Sequence, residues 1–166
     1  MRHINQNDNG FQHKIVLLLE RVQNAYVFDD NQIYNIHKAY TGFTTGYGCD
    51  HLIVCNHTNT VVFIEDKWRQ RLGQAECSHY LHFVNTMRHY YFSHMNIYVV
   101  LMSRCMPSVN AIDAFKESGY KYKIIASLND IFTQEQLVQR LEKYLHSIRI
   151  FCDDESGCSE MSYDKS

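Results

Sequence analysis

The fold is decided by two short stretches of sequence, Cys49-Asp-His-Leu-Ile-Val-Cys55 and Thr60-Val-Val-Phe-Ile-Glu-Asp-Lys67. Both are rich in β-branched and apolar residues, which favour extended strands. The tetrapeptide Asn56-His-Thr-Asn59, which is typical of a turn, separates them. The pattern therefore predicts an antiparallel β-hairpin over residues 49–67.

Outward from this hairpin, segments with helical periodicity alternate with apolar strand-like runs. The predicted elements are a helix at 11–26, strands at 49–55 and 60–67, a helix at 72–92, a strand at 96–104, a helix at 108–118, a strand at 121–126 and a helix at 133–149. Residues 27–48 are expected to be irregular. In the first helix, Val16 and Leu17 lie outside the apolar stripe, which predicts cover on two sides.

The third predicted strand, residues 96–104, is nearly all apolar, which is typical of a sheet covered on both faces. The element order is then α-β-β-α-β-α-β-α. A hairpin that leads into alternating strands and helices predicts an α/β fold, with a mixed central β-sheet sandwiched between helices.

The length of 166 residues suits one domain with a sizeable core. We expect a flexible N-terminus at 1–10, the folded domain at 11–150 and an acidic, disordered tail at 151–166. The formal net charge of −2 excludes a strongly basic protein, so any contact with nucleic acid would need a local basic patch.

The six cysteines form no C-x-x-C pair and show no zinc-finger spacing. The polar stretch from Met1 to Gly10 does not resemble a signal peptide. We therefore expect reduced cysteines in a cytoplasmic or nuclear protein. Since no stretch approaches the ~20 apolar residues of a membrane span, no membrane partner is expected.

Charged side chains end the second hairpin strand. Because strand side chains alternate between two faces, Glu65 and Lys67 point the same way. A hairpin pairing centred on 57–58 places Asp50 opposite residues 65–66. The three charged side chains would then converge at the edge of the sheet.

This set of side chains suits hydrolysis of phosphodiesters. Two carboxylates supply the hard oxygen ligands that Mg²⁺ or Mn²⁺ prefers, and the backbone carbonyl of Asp66 can complete the coordination. A neighbouring lysine can orient or help to deprotonate the attacking water. The alternative is a solvated strand end with a surface ion pair between Glu65 and Lys67.

The pattern Asp50-x14-Glu65-Asp66-Lys67 on two hairpin strands, between two helices, resembles the core of the PD-(D/E)xK (restriction-endonuclease-like) nuclease superfamily. The resemblance implies that Asp50 and Glu65 bind the metal and that Lys67 acts on the nucleophilic water. Cys49 stands where that superfamily usually has a proline. The segment from Val99 to Phe115 is loosely similar to Mrr-type and archaeal Holliday-junction resolvase domains.

Further residues follow from the same resemblance. Many members take an additional metal ligand from the first helix, which makes Glu20 the candidate for a catalytic and metal-binding role. Related resolvases carry a glutamine in the helix after E-x-K, where Gln74 stands, although its spacing to Tyr80 departs from the usual pattern. Arg69 and Arg71 are candidates to hold a phosphate backbone, or else belong to an ordinary solvated turn.

Other potential sites in the sequence are weaker. His79, His82 and His89 lie opposite the apolar face of their helix and are expected to face solvent. His51 is expected on the strand face opposite Asp50, in a structural role. The glycine-rich segment 42–48 lacks the G-K-[ST] motif of a phosphate-binding loop. Its simplest interpretation is a loop that connects two structural elements.

The residues therefore predict a metal-dependent endonuclease that hydrolyses phosphodiester bonds in DNA with Mg²⁺ or Mn²⁺. Two alternatives stay open: a catalytically inactive domain of the same fold that binds nucleic acid or protein, and an RNA-cleaving endonuclease with the same site. A homodimer would suit an enzyme that cuts both strands of a duplex.

Overall fold

The structure is a computed structural model that describes residues 6–42, 48–128 and 131–151, and these residues form five helices and five strands. In chain order the elements are α1 (Gln6–Leu19), β1 (Tyr26–Phe28), α2 (Asp30–Thr41), β2 (His51–Cys55), β3 (Thr60–Lys67), α3 (Gln74–Tyr90), β4 (Asn96–Ser103), α4 (Val109–Glu117), β5 (Lys121–Ala126) and α5 (Gln134–Ser147). Residues 1–5, residues 43–47 of the glycine-rich segment and the acidic tail from Cys152 lie outside the described residues.

The strands form one mixed sheet in the order β1-β2-β3-β4-β5. The pairs β1–β2 and β2–β3 are antiparallel, whereas β3–β4 and β4–β5 are parallel. Helices α2, α3 and α4 pack on one face of the sheet, and α1 and α5 pack on the other. The prediction of an α/β fold with a mixed sheet between helices is confirmed at this level.

Two apolar cores lie on the two faces of the sheet, because alternate residues of each buried strand point to opposite sides. Leu52 and Phe63 belong to the core under α3, where the ring of Phe63 packs edge-on against Phe83 and Phe92. Ile53 and Ile64 belong to the core under α1 and α5. Both faces of the central strands are therefore buried in apolar surroundings.

The first helix differs from its prediction. It spans Gln6–Leu19 instead of 11–26. Its buried residues include Phe11 and Ile15, but Val16 and Leu17 are exposed, so the expected cover on two sides is wrong. The physical reason is that the second side of α1 faces a cavity, with Val16 in its wall.

The predicted irregular segment 27–48 contains an additional helix and two of the three residues of an additional strand, so the predicted element order lacks two elements. Strand β1 adds three residues to the edge of the hairpin. Helix α2 begins with a capping box between Asp29 and Gln32. It ends at Gly42, whose φ of 75° suits a glycine. Among the described side chains of α2, Ile33 and His37 are the buried ones, a stripe too narrow to give a clear helical pattern.

The other predicted elements are confirmed, with boundaries that agree within two residues. Within the described part of the chain, Cys49, Cys55 and Cys77 are buried and Cys105 is partly buried. The histidines of α3 that were predicted to face solvent are exposed. No helix of the described residues is long and apolar enough to cross a membrane.

The central packing of Phe63 predicts a large effect of its removal. Phe63→Ala should lower the free energy of unfolding by about 3–5 kcal/mol, because removal of a fully buried ring leaves a cavity in the core. Urea unfolding followed by circular dichroism measures this. The control Val109→Ala removes an exposed side chain. It should change stability by less than about 0.5 kcal/mol. Equal effects of the two changes would contradict the described core.

The cap of α2 gives a second prediction. The Asp29 carboxylate accepts the backbone N–H of Gln32 at 2.8 Å. Asp29→Ala should therefore cost about 1 kcal/mol of stability, because the first turn of the helix loses this acceptor. Asp29→Asn keeps an acceptor and should stay close to the wild type in the same urea titration. An Asp29→Ala variant as stable as the wild type would argue against α2 as described.

Candidate active site

The register of the hairpin is the one predicted from the sequence. His51 pairs with Ile64 and Leu52 pairs with Phe63. The backbone N–H of Asp50 also donates to the Ile64 carbonyl at 3.2 Å. The paired residues end at His51 and Ile64, and Asp50 lies just beyond them, beside the backbone of residues 64–66.

The two carboxylates are buried at the end of this hairpin. Asp50 is 1% exposed and Glu65 is 5% exposed. The Asp50 carboxylate accepts the backbone N–H of Asp66, the residue that follows Glu65. The Nζ of Lys67 lies 3.8 Å from Oε2 of Glu65, and its side chain is 16% exposed. The structure therefore brings Asp50, Glu65 and Lys67 together.

Asp66 contacts residues on both faces of the sheet, through its backbone on one side and its side chain on the other. Its backbone N–H donates to Oδ2 of Asp50 at 2.8 Å, which fixes the orientation of that carboxylate. Its own Oδ2 lies 2.7 Å from Nε2 of His51, and both side chains are buried. His51 thus lies on the predicted face and acts as the partner of Asp66.

The surroundings of the carboxylates are apolar and carry protonated groups. Burial raises the pKa of the Cys49 thiol well above its usual range, and the carboxylates of Glu65 and Asp50 raise it further. Burial likewise raises the pKa of Tyr80, with Cys49, Glu65 and Asp50 adding to the shift. The Tyr80 hydroxyl donates to the Val100 carbonyl at 2.8 Å. Both side chains are therefore neutral neighbours that support the site and are not nucleophiles.

A cavity of about 640 Å³ lies beside the site, between α1, β1 and the start of α2. Its wall includes Asp50, His51 and Glu20 together with apolar side chains of α1 and β1. Glu20 is exposed and follows the last residue of α1. Asp50 is therefore a part of the cavity wall, whereas Glu65 is not among the residues that line it.

Glu20 lies in the wall of the same cavity as Asp50. Among residues 6–42, 48–128 and 131–151, no group of three or more His, Cys, Asp or Glu side chains is placed to hold a metal ion. The role of Glu20 as an additional metal ligand stays a prediction. Asp50, Glu65 and the Asp66 backbone are the part of the predicted ligand set that the strands bring together.

The predicted phosphate-binding residues follow β3. Arg69 forms an ion pair with Glu76, with 3.1 Å between Nη1 and Oε1. Arg71 is exposed, and Gln74 is the exposed first residue of α3. All of them lie beyond the strand that carries Glu65 and Lys67.

The carboxyl ends of the parallel strands lie at one edge of the sheet. In the pairing of β3, β4 and β5, Lys67 is aligned with Ser103 and Ser103 with Ala126. Helices α3, α4 and α5 begin after these strands, so three helix N-termini with their positive dipole ends are near this edge. The backbone N–H of Arg104 donates to the Lys67 carbonyl at 3.1 Å, and the Arg104 guanidinium lies 5.9 Å from the centre of the Trp68 ring.

Two of these features were not predicted from the sequence. The pair formed by His51 and Asp66 could have been found from strand periodicity. His51 pairs with Ile64, and Asp66 lies two residues further along β3 on the same face, so the two side chains are diagonal neighbours. The proximity of Arg104 to Lys67 depends on the register between the parallel strands β3 and β4, for which the sequence holds no local signal.

Comparisons of the chain with protein-family models, with curated proteins and with solved structures gave no match. A function is therefore inferred from the residues of the site and from their geometry.

Proposed function

We propose that the chain is a metal-dependent endonuclease that hydrolyses phosphodiester bonds in DNA, with an active site and a core like those of the PD-(D/E)xK nucleases. One observation carries the proposal: the Asp50 carboxylate accepts the N–H of Asp66, the residue after Glu65, and the ammonium group of Lys67 lies 3.8 Å from the Glu65 carboxylate. Two carboxylates and a lysine on two paired strands are the groups this chemistry needs.

The donor set fits a small divalent cation. Mg²⁺ is usually held by one or two carboxylates, with water and substrate phosphate as the other ligands, so a site with two carboxylates is sufficient. Asp50, Glu65 and the carbonyl oxygen of Asp66 would hold it. When bound, Mg²⁺ or Mn²⁺ supplies charge neutralisation at the phosphate and lowers the pKa of a bound water.

The side chains of the protein have separate tasks in this reaction. The backbone N–H of Asp66 holds the Asp50 carboxylate in one orientation before substrate binds. The ammonium of Lys67 orients the attacking water and offsets negative charge at the phosphate. The low exposure of Asp50 and Glu65 keeps bulk water away, which strengthens these electrostatic interactions.

The neighbouring sheet edge supports a polyanionic substrate. Arg71 and Arg104 follow β3 and β4, and three helices begin nearby. Cations and helix N-termini are the groups that most often contact a nucleic-acid backbone. With a formal net charge of −2 for the whole chain, this local concentration of positive charge is the part of the surface that suits DNA.

The first test of the proposal is cleavage by site variants. Glu65→Gln, Asp50→Asn and Lys67→Met should each lower the rate of cleavage by at least about 100-fold, because each removes a ligand or a charge at the reacting phosphate. The substrates are single-stranded, duplex, flap and four-way-junction DNA and an RNA, each with Mg²⁺ or Mn²⁺. The matched control Glu117→Gln changes an exposed carboxylate of α4 and should leave the rate unchanged.

The same panel separates the alternatives. Cleavage of RNA alone, with the same dependence on Glu65, would replace the DNA assignment by the RNA-cleaving alternative. Full activity of Glu65→Gln, or the absence of cleavage of every substrate by the wild type, would contradict the proposed active site.

Metal binding can be measured without any substrate. Mn²⁺ at about 100 times its Kd should stabilise the wild type by about 2.7 kcal/mol, which raises the Tm by several degrees. EDTA should reverse the shift, and Glu65→Gln should lack it because the variant has lost one of two carboxylate ligands. No shift and no heat of binding for the wild type would favour the catalytically inactive binding domain.

A further inference from the structure

A second cavity, which we term the β5 groove, lies along the outer strand of the sheet and the flank of α5. Its volume is about 760 Å³. Three cations line it, Lys123 from β5 and Arg140 and Lys143 from α5, and none of its lining residues in the described part of the chain is a carboxylate. The groove is therefore electropositive along its length.

Aromatic and apolar surfaces accompany these charges. The guanidinium group of Arg140 lies 4.0 Å from the centre of the Phe132 ring, and Tyr144 also lines the groove. Met106 and Leu128 are exposed apolar side chains in the same lining. Flat stacking surfaces thus lie beside cations in one open groove.

The arrangement follows from the periodicities of the two elements. Lys123 shares a face of β5 with Ile125, which is packed in the core under α5. Arg140, Lys143 and Ser147 recur at helical spacing and form the flank of α5 next to its buried leucine stripe. Lys121 extends the row of cations, with its Nζ 5.2 Å from the centre of the Tyr98 ring.

We propose that the β5 groove binds a single strand of nucleic acid that adjoins the phosphate at the active site. This inference deepens the proposed function and rests on it for the identity of the substrate. Proteins that bind single strands combine cations that follow the backbone with aromatic and guanidinium planes on which unpaired bases stack. A duplex covers the faces of its bases and could use only the charges.

The position of the groove agrees with this substrate. Strand β5 is two strands away from β3 in the sheet order. Since neighbouring strands lie slightly under 5 Å apart, the separation across the sheet is about 10 Å. The residues aligned across these strands, Lys67 and Ala126, lie at the same edge, and Ala126 lines the groove. Lys67 shares the strand face of Phe63 under α3, whereas the groove lies on the face under α5. A strand with one phosphate at Lys67 would therefore cross this edge of the sheet to enter the groove.

Binding is tested in full-length protein that carries Glu65→Gln, in EDTA, by fluorescence anisotropy with labelled oligo(dT), oligo(rU) and a duplex of the same length. We expect tighter binding of the single strands than of the duplex. The double change Arg140→Ala and Lys143→Ala should raise the Kd for single strands at least about 10-fold. It should also reduce the slope of log K against log salt by about 0.7 for each phosphate that the variant no longer neutralises. The matched control Lys116→Ala, at an exposed position on α4, should bind like the parent protein.

A conservative change distinguishes stacking from charge alone. Arg140→Lys keeps the charge but loses the guanidinium plane, so it should weaken binding of single strands while the salt dependence stays the same. An unchanged Kd in the double variant, equal affinity for the duplex, or equal competition by an acidic peptide of residues 152–166 would each overturn the proposal. The binding assay needs neither metal nor cleavage. A negative result for the β5 groove can therefore be distinguished from a negative result for the proposed active site.

Discussion

The antiparallel register between β2 and β3 is the constraint on which the site depends. Both faces of this hairpin are apolar, so alternation of polar and apolar residues does not by itself fix how the strands align. The turn does so. Asn59 adopts a positive φ of 54°, and its backbone N–H donates to the Asn56 carbonyl at 3.2 Å, which closes the turn between the two strands. A slip of one residue would remove the Asp50 carboxylate from the Asp66 N–H that it accepts.

The register also places three carboxylates where charge is costly. Asp50, Glu65 and Asp66 are all nearly buried, and burial of a charge needs a compensating partner. Asp66 has His51, Asp50 has the Asp66 N–H, and Glu65 has Lys67 nearby. Well-packed apolar residues at these positions would exclude water equally well and would avoid the cost of burying charge. Retaining the charged groups is more easily explained by a functional requirement than by stability, and this supports the proposed chemistry.

The sequence predicted those parts of the fold that have strong local signals. The long apolar strands, the turn between them and the helices α3, α4 and α5 were found, and the hairpin register followed from the position of the turn. The sequence did not reveal α2, because Ile33 and His37 are the buried residues among its described side chains and capping by Asp29 stabilises a mostly polar helix. Asp50, Glu65 and Lys67 could be grouped from strand phase alone. The position of Glu20 relative to them depends on how α1 packs, which is a tertiary property.

The two halves of the sheet give the proposed site opposite electrostatic surroundings. The antiparallel half supplies Asp50 and a neighbouring cavity whose wall also contains Glu20, Asp29 and Asp30, and these acidic groups repel a polyanion but attract a cation. The parallel half supplies helix N-termini, arginines and the β5 groove. On the proposed function, a divalent ion and water reach Asp50 from the acidic side, while the nucleic acid approaches from the basic side. The two would meet at Glu65 and Lys67, because β3 is the strand that belongs to both halves.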